Sequence, residues 1–124
     1  MVPARIALVD DEAPVRVALG RLLRLADYEV LSYASGEEFL AALDEGRPDC
    51  ALLDVHLPGL TGIEVQKRLR AARAPLPVVF ITASEDPSIE REAVEAGGLR
   101  VLRKPFSSDQ LLDSIAAALR GKVV

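Results

Sequence analysis

The stretch Cys50-Ala51-Leu52-Leu53-Asp54-Val55-His56-Leu57-Pro58 decides the fold. Its first four residues are apolar and read as a short strand buried on both faces. The run ends on one carboxylate, Asp54, and Pro58, Gly59 and Gly62 then break the chain into a loop. Open α/β sheets bind ligands at the carboxyl ends of their strands, and Asp54 falls at such an end. An unpaired buried carboxylate is costly, so Asp54 is expected to face a crevice holding a cation or a reacting group. Taken alone, it would serve as well as a turn former ahead of a Pro-Gly loop.

Working outward, the same pattern recurs. Arg5 to Val9 is apolar after its start and runs into Asp10-Asp11-Glu12. Pro14 suits a first helical turn, and Val15, Ala18, Leu19, Leu22, Leu23 and Ala26 follow at helical spacing. Glu29 to Tyr33 reads as a second strand. Ser35-Gly36-Glu37-Glu38 has capping-box spacing and opens a helix that stops near Gly46. After the Asp54 strand, Thr61-Gly62-Ile63-Glu64 opens a helix through Val65, Leu69 and Ala72, closed by Pro75 and Pro77. Val78 to Ile81 is a fourth apolar strand ending at Thr82-Ala83-Ser84. Asp86-Pro87 then reads as a cap and first position of a mostly polar helix to Ala96. Val101-Leu102 is a fifth strand, ending in Arg103-Lys104-Pro105. Ser107 with Gln110 opens the last helix, whose stripe is Leu111, Leu112, Ile115, Ala116 and Leu119 and whose stop is Gly121.

Strand and helix thus alternate five times, with strands apolar on both faces. This predicts an α/β fold, a doubly wound parallel five-stranded sheet covered on both sides by helices. In a parallel sheet all strand C-termini share one edge. Asp10-Asp11, Asp54, Thr82 and Lys104 are therefore expected to converge.

Length and composition set the bounds. At 124 residues, with 50% hydrophobic and 27% charged residues, the chain suits one domain spanning 1–124 with a genuine core. A net charge of −4 argues against gripping nucleic acid. The lone Cys50 rules out an internal disulfide, so a reducing, cytoplasmic setting is expected. The apolar Ile6-Ala7-Leu8-Val9 is too short for a signal peptide or a membrane span.

Three carboxylates near one point stay ionised only beside a hard cation, and oxygen-only ligands suit Mg²⁺. A lysine adds a point charge for phosphate, and a threonine adds a hydroxyl donor. The set fits phosphoryl transfer, with a carboxylate able to act as nucleophile. No Gly-rich loop follows the first strand, so a nucleotide donor is not expected.

On these residues, Val9-Asp10-Asp11-Glu12, Asp54 with Pro58 and Gly62, Thr82-Ala83 and Lys104-Pro105-Phe106, the chain resembles the receiver domains of two-component response regulators. Pro14-Val15-Arg16 and Ser35 to Leu40 look closest to FixJ/NarL-like receivers. The resemblance runs from Ile6 to about Leu119. It implies a flavodoxin-like (βα)5 fold with strand order 2-1-3-4-5. It implies that Asp54 accepts a phosphoryl group from the phosphohistidine of a sensor histidine kinase. Asp11 would bind Mg²⁺ directly and Asp10 would help through water, with Asp54 and the His56 backbone carbonyl as further ligands. Lys104 and Thr82 would contact the phosphoryl oxygens, and Lys104-Pro105 would be cis. It also implies an output protein or domain and a phosphorylation-dependent homodimer as partners, and self-catalysed phosphorylation and dephosphorylation. Two positions depart from the family pattern. Leu57 stands where Met is usual, and Val101 where many members carry an aromatic.

Three rival functions fit parts of this pattern less well. A haloacid-dehalogenase-like phosphatase needs an acid two residues after its nucleophile, where this chain has His56. A flavodoxin-type flavin module would be repelled by the acidic first loop. A degenerate receiver, acting only as a binding module, is disfavoured by the complete acid set.

Overall fold

The computed structural model describes residues 2–73 and 76–123. Five parallel strands, β1 (Arg5–Val9), β2 (Glu29–Tyr33), β3 (Cys50–Asp54), β4 (Val78–Thr82) and β5 (Arg100–Arg103), form one sheet in the order β2-β1-β3-β4-β5. Five helices connect and follow them: α1 (Ala13–Leu25), α2 (Gly36–Ala42), α3 (Gly62–Ala71), α4 (Pro87–Glu95) and α5 (Ser108–Val123). A short 3₁₀ turn, Leu43–Glu45, carries α2 on to Gly46. This is the flavodoxin-like doubly wound arrangement.

Side chains of a strand alternate between faces, and here both faces are packed. Ala7, Val9, Ala51, Leu53, Val78 and Phe80 meet Phe39 of α2, Val65 and Leu69 of α3, and Ala93 of α4. Ile6, Leu8, Cys50, Leu52, Val79 and Ile81 meet Leu23 of α1 and Leu111, Ile115 and Ala118 of α5. The uninterrupted apolar runs of β1, β3 and β4 are the sequence trace of those two cores. Cys50 is buried among them.

The caps that open the helices act as their residue types dictate. Thr61 Oγ1 accepts from the Glu64 N–H at 3.2 Å while Glu64 Oε1 accepts from the Thr61 N–H at 3.1 Å, a complete capping box. Ser107 and Gln110 exchange the same pair of bonds at α5. At α2 only half the box forms. Ser35 Oγ accepts from the Glu38 N–H, but Glu38 Oε2 reaches back to the Ala34 N–H instead.

Three boundaries or faces differ from the sequence reading. Gly121 does not stop the last helix, which continues to Val123; a glycine only weakens a helix when the preceding turns are already anchored by Leu111 and Ile115. Ala18, assigned to the buried stripe of α1, is exposed. It borders an open cleft of about 360 Å³ between α1 and the segment Lys104-Pro105-Phe106, and Gly20 is buried in its place. In the α5 stripe only Leu111 and Ile115 are fully buried. Leu112, Ala116 and Leu119 are half-buried, and Ser114 and Ala118 complete the inner face. Pro75, expected to close α3, lies outside the described residues.

The glycine that opens α3 sets how closely that helix approaches the end of β3. The Gly62 N–H donates to the Val55 carbonyl at 3.0 Å, and a Cβ on Gly62 would collide with the Asp54 carbonyl oxygen and stand 3.1 Å from the Val55 Cα. All of those atoms are backbone and cannot yield as a side chain can. Gly62→Ala is therefore expected to lower stability by about 1–3 kcal/mol, as overpacking does. Urea denaturation of the variant against wild type checks this. An unchanged midpoint would show that α3 can slide.

Candidate functional site

The sheet register builds the site. Val9 pairs with Leu53, so Asp10, one residue on, lies beside Asp54 at the C-terminal end of β3. Asp54 pairs with Ile81, and Thr82 pairs with Arg103, the residue before Lys104. The Lys104 N–H donates to the Thr82 carbonyl at 2.8 Å, and the Lys104–Pro105 peptide bond is cis, as anticipated. Asp10, Asp54, Thr82 and Lys104 meet at the strand order's switch point, where the two neighbours of β1 diverge.

Charge and burial are unevenly shared among them. The Lys104 ammonium sits 3.5 Å from Asp10 Oδ2 and 3.6 Å from Asp54 Oδ2, with both carboxylates buried. Asp54 Oδ1 accepts from the His56 N–H at 2.9 Å, and Asp10 Oδ1 accepts from the Glu12 N–H at 2.9 Å. Asp10 Oδ2 is buried with no hydrogen-bond partner. Burial pushes the Asp10 carboxyl up from its ordinary value; the Glu12 amide opposes this, the Asp54 charge adds to it, and Lys104 pulls down. For Lys104, burial acts to lower the ammonium pKa, but Asp54 and Asp10 outweigh it and hold the group above its ordinary value. Asp11 and Glu12 are exposed, and their carboxylate oxygens lie within 4.8 Å of one another and of Asp10.

On the other side, Thr82 is buried, and its Oγ1 accepts from the Ser84 N–H at 3.0 Å. Ser84 Oγ accepts from the Asp86 N–H at 3.1 Å, and Asp86 Oδ1 accepts from the Ser88 N–H at 2.9 Å, capping α4. Each oxygen thus binds the amide two residues on. The chain of bonds runs from the site hydroxyl to the first turn of α4.

The structure brings Asp10, Asp54 and Lys104 together, places Thr82 at the adjacent strand end and leaves Asp11 exposed beside Asp10. His56 is at the mouth, its side chain exposed and its amide holding Asp54. Two participants were missed. Glu12 joins the acid cluster, and the Arg16 guanidinium donates to the Asp10 carbonyl at 2.7 Å. For Glu12 the signal was its place in the acidic run after β1. For Arg16 it was a charged residue off the apolar stripe of α1, within reach of the loop.

Two buried carboxylates, Asp10 and Asp54, the first with an oxygen lacking any hydrogen bond, beside the exposed Asp11 and Glu12, suit a hard divalent cation. The fold and this pocket define a doubly wound sheet with an acid-and-lysine site at its switch point. A family model described as the response regulator receiver domain matches residues 6–116. The transcriptional regulatory protein FixJ of Bradyrhizobium diazoefficiens is 36% identical over 93% of this chain and 56% of its own length. Sporulation initiation phosphotransferase F of Bacillus subtilis is 31% identical over 93% of each chain. The crystal structure of FixJ-N superposes with a TM-score of 0.90 at 29% identity, covering 97% of this chain and 96% of that one. The chain belongs to the response regulator receiver family and is a signalling receiver of a two-component phosphorelay. It spans about half the length of FixJ and of several other curated regulators that it matches. Among the described residues, no helix is long and apolar enough to cross a membrane.

The uneven burial makes a prediction. Because the folded-state pKa of Asp10 is raised, its favourable contribution is complete below its ordinary value of 3.8 and is lost as pH rises through the folded value. Near neutral pH the ionised group therefore burdens the fold. Asp10→Asn keeps an acceptor for the Glu12 amide and is expected to melt higher than wild type in metal-free buffer near neutral pH. The gap should shrink as pH falls toward 3.8. Thermal melts across that range check it, and a lower melting temperature for Asp10→Asn near neutrality contradicts it.

Proposed function

We propose that residues 1–124 form one receiver domain whose Asp54 accepts the phosphoryl group of a kinase phosphohistidine. The observation that carries this is the placing of Asp54. It is a buried carboxylate at a strand end, held by one amide and one ammonium. Asp10, Asp11 and Asp54, with the His56 backbone carbonyl, would hold Mg²⁺, which when bound neutralises charge on the carboxylates and on the incoming phosphoryl oxygens. A carboxylate oxygen of Asp54 forms the new bond to phosphorus as the phosphorus–nitrogen bond of phosphohistidine breaks, leaving the donor imidazole with the electron pair. Lys104 pairs with the phosphoryl oxygens as a point charge. Thr82 Oγ1 has a lone pair occupied by the Ser84 amide, which leaves its hydroxyl proton to donate to the phosphoryl group.

These groups would also let the domain catalyse its own phosphorylation and dephosphorylation. His56 stands where a haloacid-dehalogenase-like enzyme needs an acid, which disfavours steady phosphatase activity. The partners follow from the same reading: a sensor histidine kinase in the cytoplasm, and an output domain or protein, or a second phosphorylated copy, reading the surface of α4, β5 and α5. Val94 and Leu99 are exposed on α4 and just before β5.

Incubation with acetyl phosphate and Mg²⁺, followed by mass spectrometry, is expected to add one phosphate to wild type and none to Asp54→Asn. Addition to the variant at the wild-type rate removes Asp54 from its role.

Switching takes the route from Thr82 to α4. Val101 has a single short χ1 axis and cannot sweep between interior and surface as a ring can. Only Ala93 of α4 is fully buried, so local opening there is inexpensive. With beryllofluoride as phosphoryl mimic, amide exchange is expected to change more in 83–96 than in 99–103. A response centred on 99–103 with α4 unaffected contradicts this route.

A further inference from the structure

Asp10 spends every polar group it has, except one, on a different part of the chain. Its N–H donates to the Tyr33 carbonyl at 3.2 Å, and its Oδ1 accepts from the Glu12 N–H at 2.9 Å. Its carbonyl accepts from Arg16 Nη1 at 2.7 Å. Only Oδ2 is left without a hydrogen bond, facing Lys104. Three anchors thus aim a single oxygen. The Arg16 bond is charge-assisted and short, and Arg16 is half-buried, so the side chain is committed to this contact. Its own N–H is bound to the Glu12 carbonyl at 3.1 Å, which ties both ends of the residue to the loop between β1 and α1.

The carbonyl that Arg16 holds belongs to the peptide joining Asp10 to Asp11. That peptide is planar, so fixing its oxygen fixes its plane, leaving Asp11 free to turn only about its own dihedrals. If the plane rotated, Asp11 would swing relative to Asp10 Oδ2. We propose that Arg16 is a positioning residue for the cation site: it clamps the Asp10–Asp11 peptide so that both carboxylates face one ion. This rests on the reading of Asp10 and Asp11 as Mg²⁺ ligands.

The alternatives give opposite signs. If Arg16 were only a counter-charge to the acids, removing it would deepen the negative potential and tighten Mg²⁺ binding. If it only stabilised the loop, the folded protein would bind Mg²⁺ as before. Positioning alone predicts weaker binding on loss of a positive charge.

The test is an amide NMR titration of the intact chain with MgCl₂, for wild type, Arg16→Met, Arg16→Gln, Arg16→Lys and Asp11→Ala. Both neutral variants are expected to bind about tenfold more weakly, as groups that orient metal ligands typically do when removed. Arg16→Lys, which keeps a charged donor, should recover part of the loss. In metal-free protein the Glu12 amide should exchange faster in Arg16→Gln while amides of the sheet stay unchanged. Unchanged or tighter Mg²⁺ binding in the two neutral variants overturns the proposal. If Asp11→Ala binds Mg²⁺ like wild type, the ligand reading itself falls, and the proposal with it.

Discussion

The Lys104 ammonium between Asp10 and Asp54 is the contact on which the site depends. Two buried carboxylates beside one another repel, and one lysine balances only part of their charge. Breaking such a pair leaves an uncompensated buried charge, which is why the geometry around it is so fully anchored. By contrast the ion pair of Arg103 with Glu90 on the surface is about half exposed on both sides and adds at most about 1 kcal/mol. The same chemistry, a cation beside a carboxylate, is structural ornament in one place and the organising constraint in the other. Burial makes the difference.

That constraint is met because a parallel sheet places unrelated parts of the chain side by side. Residues 10, 54, 82 and 104 come from four strand ends, and each is delivered by a ladder whose apolar side chains are locked into two cores. The polar ends can be crowded together because the strands behind them are held by packing that owes nothing to the site. Gly62 matters for the same reason. It lets α3 close against the end of β3, so the backbone of Asp54 and Val55 is buttressed from behind.

Much of this was legible in the residues. Apolar runs ending in Asp54, Thr82 and Lys104 imply parallel strands, and parallel strands imply a shared edge. The meeting of these groups follows from that, whereas the strand order came from the resemblance to receiver domains. What stayed hidden depends on side-chain reach. Asp10 and Asp11 are adjacent and chemically equal in sequence. Which one is buried is decided by where the chain leaves the sheet: Asp10 is still tied to β2 through its N–H and the Tyr33 carbonyl, while Asp11 lies beyond that bond and is exposed. The one signal for Arg16, a charged residue off the stripe of α1, reads equally well as a solvated side chain, so its reach back six residues to a carbonyl stayed hidden. Ala18 looked like core because periodicity marks a face but not what covers it. The segment opposite leaves a cleft there.

Lys104 neutralises this cluster of acids only in part, and on the proposed reading a divalent cation completes it. A ligand that binds the folded state alone raises its stability in proportion to the logarithm of concentration once binding saturates. The direct measurement is the melting temperature of the metal-free chain as MgCl₂ is added at constant ionic strength. A saturable rise with Mg²⁺ is expected, one that NaCl at matched ionic strength does not reproduce. A melting temperature indifferent to Mg²⁺, or moved equally by both salts, would contradict it.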